Sequence, residues 1–272
     1  NSGGGCGAGG YIRRTIKIEP NQTLQYNAKV GAGGVPDMTT NTTVNSNGKD
    51  TTAFGLTALG GGSGGLSKYD DSLLIGRAGG SGGGGAGTWN TSSSVIGGRA
   101  TDPTQGNVGE TGYIDANTYS RIGGGGGGAG GSGGLTGKGF GGLGIADNIM
   151  GEIKYYAGGG GAGSNYTSGN TVGGSNIGGN GGNYNSISPT NPVQNTGSGG
   201  AGCGEQLRFP TSGADGIIII RVNKTTTGVT VNDHVKLGIN SDGNFGNIGK
   251  ASILNKWSLV GNVTYAEDVD TL

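Results

Sequence analysis

Polar and apolar residues alternate along residues 11–30. Ile12, Ile16 and Ile18 fall on one side of the alternation, and charged or hydroxyl side chains fall on the other. A period of two is typical of a β-strand that buries one face. The alternation breaks at Pro20, where a turn fits, and then resumes. The pattern therefore predicts a β-hairpin over 11–30 that covers one side of the domain.

A second apolar pattern, the unbroken run GIIIIRV at 216–222, ends the glycine-rich part of the chain. Continuous β-branched residues are typical of a strand that is buried on both faces. The run predicts a closing strand, so the first domain spans 1–222. Residues 223–272 contain fewer glycines and several strand-like stretches. They predict a small C-terminal β region, which is a candidate for an assembly element.

A period of three appears inside the glycine runs. After Gly128, the residues Ala129, Ser132, Leu135 and Lys138 recur at every third position. A polyproline II helix has three residues per turn, so these side chains would share one edge and glycine would occupy the other two. The run is therefore interpreted as a rod with a decorated edge, and not as a flexible linker.

Other glycine runs repeat this spacing. It occurs in Ser63, Leu66 and Tyr69, in Ala78 and Ser81, in Ile177, Asn180 and Asn183, and in Ser198 and Ala201. The candidate rods lie near 3–10, 58–66, 78–87, 123–134, 137–144, 157–163, 173–182 and 197–204. Rods with bare edges can approach closely enough to exchange backbone hydrogen bonds. The expected fold is mostly irregular/β, a bundle of packed polyglycine II helices in which this lattice replaces a hydrophobic core.

Composition narrows the classes of function. The chain has 70 glycines among 272 residues, and its 17 basic residues balance 17 acidic ones. Disorder usually goes with high net charge, so the neutral composition makes it less favoured. Collagen requires a strict Gly-X-Y repeat with abundant proline and does not fit. A neutral chain without a long apolar stretch also predicts no nucleic-acid partner and no membrane insertion.

Two cysteines lie in glycine runs near opposite ends of the first domain, Cys6 and Cys203. Their symmetric placement fits a disulfide, which would close a long loop and indicate an oxidising compartment. Two free thiols in small-residue positions fit the sequence equally well.

Segments between the runs are rich in Asn, Thr and Ser and carry aromatic residues. Rigid rods would hold such loops in fixed positions, and aromatic side chains are common anchors of recognition surfaces. The receptor-binding loop candidates are Trp89, Tyr113, Tyr119, Tyr155, Tyr156 and Tyr184. The alternative is that these rings pack over the ends of the bundle.

Motifs for catalysis or cofactor binding are weak. The sole histidine, His234, has no nucleophile motif beside it. The stretch around Lys138 lacks the first glycine and the final hydroxyl residue of a phosphate-binding loop. Asn240 and Asp242 precede a glycine but lack the distal glutamate of a calcium loop. We therefore expect a protein that is not an enzyme, with no cofactor and no metal.

Glycosylation sequons are frequent in a chain of this composition. They begin at Asn21, Asn41, Asn90, Asn165, Asn223 and Asn262. These sites matter only if the source is eukaryotic or otherwise glycosylates its proteins.

The order of several motifs resembles a known family. The passage GGGCGAGGYIRRTIKIEPNQTLQYNAKVGAGG, then DTTAFGLTALGGGSGG, further glycine blocks and GADGIIIIRV, over about residues 1–222, resemble the glycine-rich domain common in tailed-phage tail and tail-fibre proteins. Relatives at the distal tips of tail fibres are adhesins in which loops on polyglycine II helices bind the bacterial surface. The resemblance implies a role in virion attachment.

Two functions are consistent with these features. The first is a non-enzymatic tail-fibre-type protein on the virion surface, whose loops bind a host surface glycan or outer-membrane protein. The second is an extracellular filament or virion-surface subunit that assembles with copies of itself or other fibre subunits through 223–272.

Overall fold

Extended segments make up most of the chain that the computed structural model describes. The described residues are 2–17, 27–36, 46–66, 71–88, 95–115, 120–135, 138–165, 171–184, 187–204 and 209–221. Within them, helix is limited to one turn, α1 at Asp71–Leu74, and a short 3-10 turn at Gly174–Asn176. The expected mostly irregular/β class is confirmed.

Regular strands occur only as short antiparallel hairpins. β1 at Thr51–Ala53 pairs with β2 at Leu56–Ala58, β3 at Tyr113–Asp115 with β4 at Ser120–Ile122, and β5 at Ile145–Asp147 with β6 at Lys154–Tyr156. In the first hairpin, Phe54 and Gly55 both have positive φ, 53° and 73°. Two such residues form the tight turn whose twist matches that of the flanking strands.

The extended segments pack side by side as rods, which we number in chain order. They are rod 1 (2–11), rod 2 (31–35), rod 3 (46–50), rod 4 (59–66), rod 5 (80–87), rod 6 (107–112), rod 7 (123–129), rod 8 (139–144), rod 9 (157–164), rod 10 (179–183), rod 11 (197–204) and rod 12 (211–216). Their backbone hydrogen bonds join different rods, as expected of polyglycine II packing.

Rod 1 lies at the centre of the lattice, and its amides follow a period of three. Gly3, Cys6 and Gly9 donate to rod 11, Gly4, Gly7 and Gly10 to rod 4, and Gly5 and Ala8 to rod 7, with N···O distances of 2.7 to 3.0 Å. Its carbonyls accept from rods 5 and 9. One turn of three residues therefore serves several neighbouring rods, which is the geometry that the sequence period predicts.

Glycine is required in the rods because they approach so closely. A Cβ atom added at Gly126 would lie 1.9 Å from the carbonyl oxygen of Cys6, and one at Gly7 would lie 2.2 Å from that of Ser81. Neither position has a left-handed backbone, so the requirement is space and not conformation. Most fully buried side chains in the rods are small, as at Ser81 and Ala201, although Asn183 in rod 10 is also only 1% exposed.

The decorated edge predicted after Gly128 is wrong. Rod 7 ends at Ala129, and the chain then bends and turns through 133–135. Ser132, Leu135 and Lys138 therefore do not share the edge of one rod. The rod is instead the unbroken glycine run before them, whose amides follow a period of three: Gly123 and Gly126 donate to rod 9, Gly124 and Gly127 to rod 5, and Gly125 to the side chain of Glu110.

Polar side chains close the lattice where a neighbouring rod is missing. The amide of Gly60 donates to Asp50 Oδ1 at 2.8 Å, that of Ser63 to Asn47 Oδ1 at 3.0 Å, and that of Gly173 to Asn180 Oδ1 at 2.9 Å. A buried amide without a partner would cost about 1–3 kcal/mol. The abundant Asn, Asp and Thr residues thus have a structural role that composition alone did not indicate.

The predicted hairpin and closing strand are not formed by their described residues. No strand is assigned within 11–17 or 27–30; instead Lys29 makes an isolated antiparallel bridge with Thr52 of β1. The described residues of the closing run, 216–221, also contain no strand. The last amide of this run that bonds to the lattice is that of Gly216, which donates to the carbonyl oxygen of Gly31. The remaining parts of these predictions, 18–26, Val222 and the appendage 223–272, lie outside the described residues.

The isoleucines of the closing run are not buried on both faces as predicted. Ile217 and Ile220 are 36% and 37% exposed. The described part of the chain has only a small cluster of buried aliphatic residues, Leu74, Ala86 and Val95. Hydrogen bonding between rods, each bond worth about 0.5–1.5 kcal/mol net, is therefore the main source of order.

Candidate functional site

The rods carry their connections to two opposite ends of the bundle. At one end, which we call the Ser2 end, isolated bridges join Ser2 to Gly87, Ile122 to Ser164 and Ser164 to Asn183. At the other, the Tyr11 end, the amide of Tyr11 donates to the carbonyl of Gln105. Nine residues of rod 1 separate the two, or about 28 Å at roughly 3.1 Å per residue.

Two predicted receptor-binding residues, Tyr113 and Tyr184, lie at the Ser2 end. Tyr113 begins β3, and Lys138 Nζ lies 3.5 Å from the centroid of its ring. Tyr184 directly follows Asn183, and both tyrosines are half-buried. A cation over an aromatic face contributes about 0.5–1 kcal/mol at an exposed site and fixes the ring. Trp89 and Tyr119 lie outside the described residues.

The other two candidates lie at the Tyr11 end, in the β5–β6 hairpin. Tyr155 is 46% exposed and is available to a partner. Tyr156 is 7% exposed, and its hydroxyl donates to the sulfur of Met150 at 3.2 Å. Burial raises the pKa of Tyr156. Tyr156 therefore packs over the end of the bundle, which was the alternative for these residues, and the structure does not bring the candidates together on one surface.

A polar cluster that the sequence reasoning missed ties this hairpin to the segment after rod 1. The Asp147 carboxylate, whose residue is 6% exposed, accepts from the hydroxyl of Tyr11. It also accepts from Arg13 Nη1 at 3.2 Å and from the amide of Ile149 at 2.6 Å. The only signal in the sequence is the Asp-Asn pair after Ile145 and Ala146, which is typical of a turn and does not indicate distant partners.

The charge states of this cluster follow from its contacts. Burial opposes ionisation of Asp147, but the bonds from Tyr11 and Ile149 and the charge of Arg13 outweigh it and hold the pKa of Asp147 below its ordinary value. Burial and the neighbouring carboxylate raise the pKa of Tyr11. Asp147 is therefore ionised and accepts from three donors, and Tyr11 is a neutral phenol. We call this pair the Tyr11–Asp147 clamp, because its hydrogen bonds hold the hairpin to rod 1 and leave neither group to act as a base.

The two cysteines are free thiols, so the proposed bridge between Cys6 and Cys203 is not formed. Rods 1 and 11 run antiparallel, with the amide of Gly3 bonded to Cys203 and that of Cys6 to Gly200. The cysteines are therefore offset by one turn of three residues, or about 9 Å along the rods, beyond the reach of a disulfide. Burial raises the pKa of Cys6, and it raises that of Cys203 to about 11.

One sequon, that of Asn165, begins at a described residue. The side-chain oxygen of Asn165 accepts a hydrogen bond from the backbone amide of Arg121. The backbone amide of Asn165 donates to the Arg121 carbonyl at 2.9 Å. The asparagine thus fastens rod 9 to β4. The sequons at Asn21, Asn41, Asn90, Asn223 and Asn262 lie outside the described residues.

The described residues form neither a metal-binding cluster nor a membrane-spanning helix. No group of three or more His, Cys, Asp or Glu side chains in the described ranges is placed to hold a metal ion. None of the helices that the structure describes is long and apolar enough to cross a bilayer.

Comparison with known proteins identifies the class to which this lattice belongs. The chain belongs to the glycine-rich domain family, which matches residues 1–223. That span contains every rod described above and ends where the glycine-poor segment begins. No curated protein and no solved structure gives a significant match.

Proposed function

We propose that this protein is a non-enzymatic attachment protein of the viral tail-fibre type, located at the virion surface or otherwise outside the cell. In this proposal the polyglycine II lattice is a rigid scaffold, and its loops bind a host surface glycan or an outer-membrane protein. The observation that carries it is the convergence of many chain connections at the Ser2 end.

Several connections have their flanking described residues at that end. Six of them are 67–70, 89–94, 116–119, 166–170, 185–186 and 205–208. The rods next to these connections are hydrogen-bonded to one another, as where the amide of Ser2 donates to the carbonyl oxygen of Gly87 at 2.8 Å. Loops anchored at both ends on a rigid base can vary in sequence without disturbing the scaffold, as in other recognition proteins.

Aromatic residues at the Ser2 end supply suitable anchors. Tyr113 and Tyr184 are half-buried, and the connections contain Tyr69, Trp89 and Tyr119 in their sequences. Rigid amphipathic rings lose little entropy on binding and suit both sugar and protein surfaces. The likeness to tail-fibre glycine-rich domains supports the same assignment.

The test is adsorption. Purified protein should bind cell envelopes of susceptible bacteria and block adsorption of the virus that carries it. Chimaeras in which the Ser2-end connections are exchanged with those of a relative of different host range should change the range accordingly. Unchanged host range in correctly folded chimaeras would overturn receptor recognition by these loops.

A specific observation favours the second candidate, a filament or virion-surface subunit that assembles through 223–272 with copies of itself or other fibre subunits. Exposed apolar side chains lie where the described chain leaves the lattice, with Ile220 37% exposed and Ile16 42% exposed. Deletion of 223–272 should then abolish assembly and leave the glycine-rich domain folded. A monomeric full-length chain at all concentrations would exclude this function.

A further inference from the structure

Six rods form a closed ring around a position that no described rod occupies. Backbone hydrogen bonds join each rod of the ring to the next: Gly7 to Gly62 (rods 1 and 4), Gly48 to Gly61 (3 and 4), Lys49 to Ala32 (3 and 2), Gly213 to Gly34 (12 and 2), Ala214 to Ser198 (12 and 11), and Cys6 to Gly200 (1 and 11), at 2.8 to 3.0 Å. In a hexagonal lattice, six neighbours surround one further rod.

The enclosed position is an open channel. Residues from all six rods line a cavity of about 200 Å³, among them Gly9, Ala32, Gly48, Gly60, Ser198 and Ala214. This exceeds by far the roughly 10–15 Å³ that one water molecule needs. The cavity opens at the Tyr11 end, where Arg13, Ile149 and Ile217 also line it.

Two glycines on the channel wall, Gly9 and Gly213, have room for a Cβ atom that most glycines of the lattice lack. A Cβ atom added at Gly9 would find its nearest neighbour at 3.5 Å, and one at Gly213 at 3.4 Å, both ordinary contacts. At Gly7, which also lines the channel, the same atom would lie 2.2 Å from the carbonyl oxygen of Ser81, because it would point at rod 5. The space beside Gly9 and Gly213 is therefore vacant at the level of the backbone.

Two side chains mark the inner part of the channel. Cys6 lines it, and the backbone of Gly64 and Gly200 hydrogen-bonds to its thiol. Ser63 also lines it and is 2% exposed, and its hydroxyl has no hydrogen-bond partner among the described residues. A buried hydroxyl without a partner costs about 1–3 kcal/mol, so an occupant with a polar group here would be stabilised.

We infer that this channel is a docking site for one extended, glycine-rich chain terminus of a partner subunit, which enters at the Tyr11 end. The ring is closed on all sides by hydrogen bonds, so a chain must enter end first. From Tyr11 to Cys6 the channel is five residues deep, or about 15 Å at roughly 3.1 Å per residue.

The chemistry of the walls selects the occupant. Glycine, alanine and serine together contribute most of the lining, and a second extended backbone offers amides and carbonyls at matching intervals, as every other rod in the lattice does. An acyl chain would leave such polar groups without partners. Side chains larger than Ala or Ser would not fit a space one rod wide, which restricts the terminus to small residues. This inference does not depend on what the loops at the opposite end bind.

The experiment uses the full chain and the peptide GGGGGGAGG, labelled with a fluorophore at either its amino or its carboxyl end. One of the two versions should show saturable binding by fluorescence anisotropy. Gly9→Val and Gly213→Val, which fill the channel from opposite walls, should each weaken binding about tenfold or more. A peptide with valine at alternate positions serves as the matched control and should not bind.

A second readout locates the peptide and requires no variant. Bound peptide should slow alkylation of Cys6 at pH 9, measured by mass spectrometry, and leave that of Cys203 unchanged, because Cys203 does not line the channel. No saturable binding of either version to the folded wild type, or unchanged alkylation of Cys6 at saturating peptide, would overturn the inference. Equal binding by a folded Gly9→Val variant would do so as well.

Discussion

Glu110 and Gly125 exchange hydrogen bonds. The amide of Gly125 donates to Glu110 Oε2 at 3.0 Å, and the amide of Glu110 donates to the carbonyl oxygen of Gly125 at 2.8 Å. The same Oε2 accepts from the amide of Gly139 at 2.7 Å. One carboxylate oxygen therefore accepts from an amide of rod 7 and from an amide of rod 8. Burial raises the pKa of Glu110, although the two amides and the charge of Lys138 act in the opposite direction.

This carboxylate should make stability depend on pH. Because the pKa of Glu110 is higher in the folded state, its contribution is fully present below the unfolded value of about 4.3 and is lost as pH rises through the folded value. Melting temperature measured from pH 4 to pH 8 should fall more for the wild type than for Glu110→Gln. The exposed Glu152→Gln is the control and should follow the wild type.

Removing the Glu110 side chain should be costly at any pH. Glu110→Ala leaves the amides of Gly125 and Gly139 without their acceptor, a loss of about 2–4 kcal/mol in the free energy of unfolding. Chemical denaturation measures it. An Ala variant as stable as the Gln variant would show that water replaces the carboxylate.

Close approach of the rods should make single glycines indispensable. A Cβ atom at Gly125 would lie 1.9 Å from the carbonyl oxygen of Phe140, so Gly125→Val should cost more than about 3 kcal/mol or prevent folding. Gly9→Ala, where space exists, is the matched control and should remain folded. Lys138→Ala should cost far less than Gly125→Val, since it loses the contact with Tyr113, about 0.5–1 kcal/mol, and one charge near Glu110. Equal tolerance of all three, judged by circular dichroism and melting, would contradict the lattice.

The Tyr11–Asp147 clamp should stabilise the fold in a defined pH range. The pKa of Asp147 is depressed in the folded state, so its contribution is present above the unfolded value of about 3.9 and is lost as pH falls through the folded value. Tyr11→Phe removes one donor and should cost about 1.5–3 kcal/mol at pH 7. The exposed Tyr155→Phe should be silent. Stability equal to the wild type at pH 7 would show that Tyr11 is not part of the clamp.

Binding of the receptor at the Ser2 end predicts that substitutions of tyrosines at the two ends have different effects on affinity. Tyr113→Ala and Tyr184→Ala should each weaken binding to host envelopes about tenfold or more, as anchors do, whereas Tyr155→Ala at the opposite end should leave it unchanged. Pull-down of labelled protein with envelopes measures this. A larger effect at Tyr155 would place recognition at the Tyr11 end.

The period of three and the glycine content predicted the rods within the glycine runs, because both express a local requirement: three residues per turn and no side chain on the packed edges. Rods 2, 3, 6 and 12 were not predicted, and the predicted rod at 173–182 contains a 3-10 turn at Gly174–Asn176. Assignment of side chains to edges failed where the spacing continued past the end of a rod, as at Ser132 and Leu135. A turn preserves spacing in sequence but not direction in space, and the sequence of a glycine-rich turn does not differ from that of a rod.

Other features depend on distant partners and carry no local signal. Asp147 meets Tyr11 from 136 positions away. The alternation at 11–17 and the isoleucines at 217–220 satisfy the rules for strands, yet no neighbouring strand pairs with these described residues. The ring of rods around the channel was likewise beyond prediction, since it depends on which rods lie adjacent and not on their composition.

Rod 1 obtains its partners from nearly the whole length of the domain. Gly3 is bonded to Cys203, 200 positions later, and Ser2 to Gly87. During synthesis the residues of rod 1 are made before their partners, and the last of these partners is translated only at rod 11. Contacts of such long sequence separation make folding slow. The lattice must therefore assemble late and largely at once, and the same interdependence should make it slow to come apart.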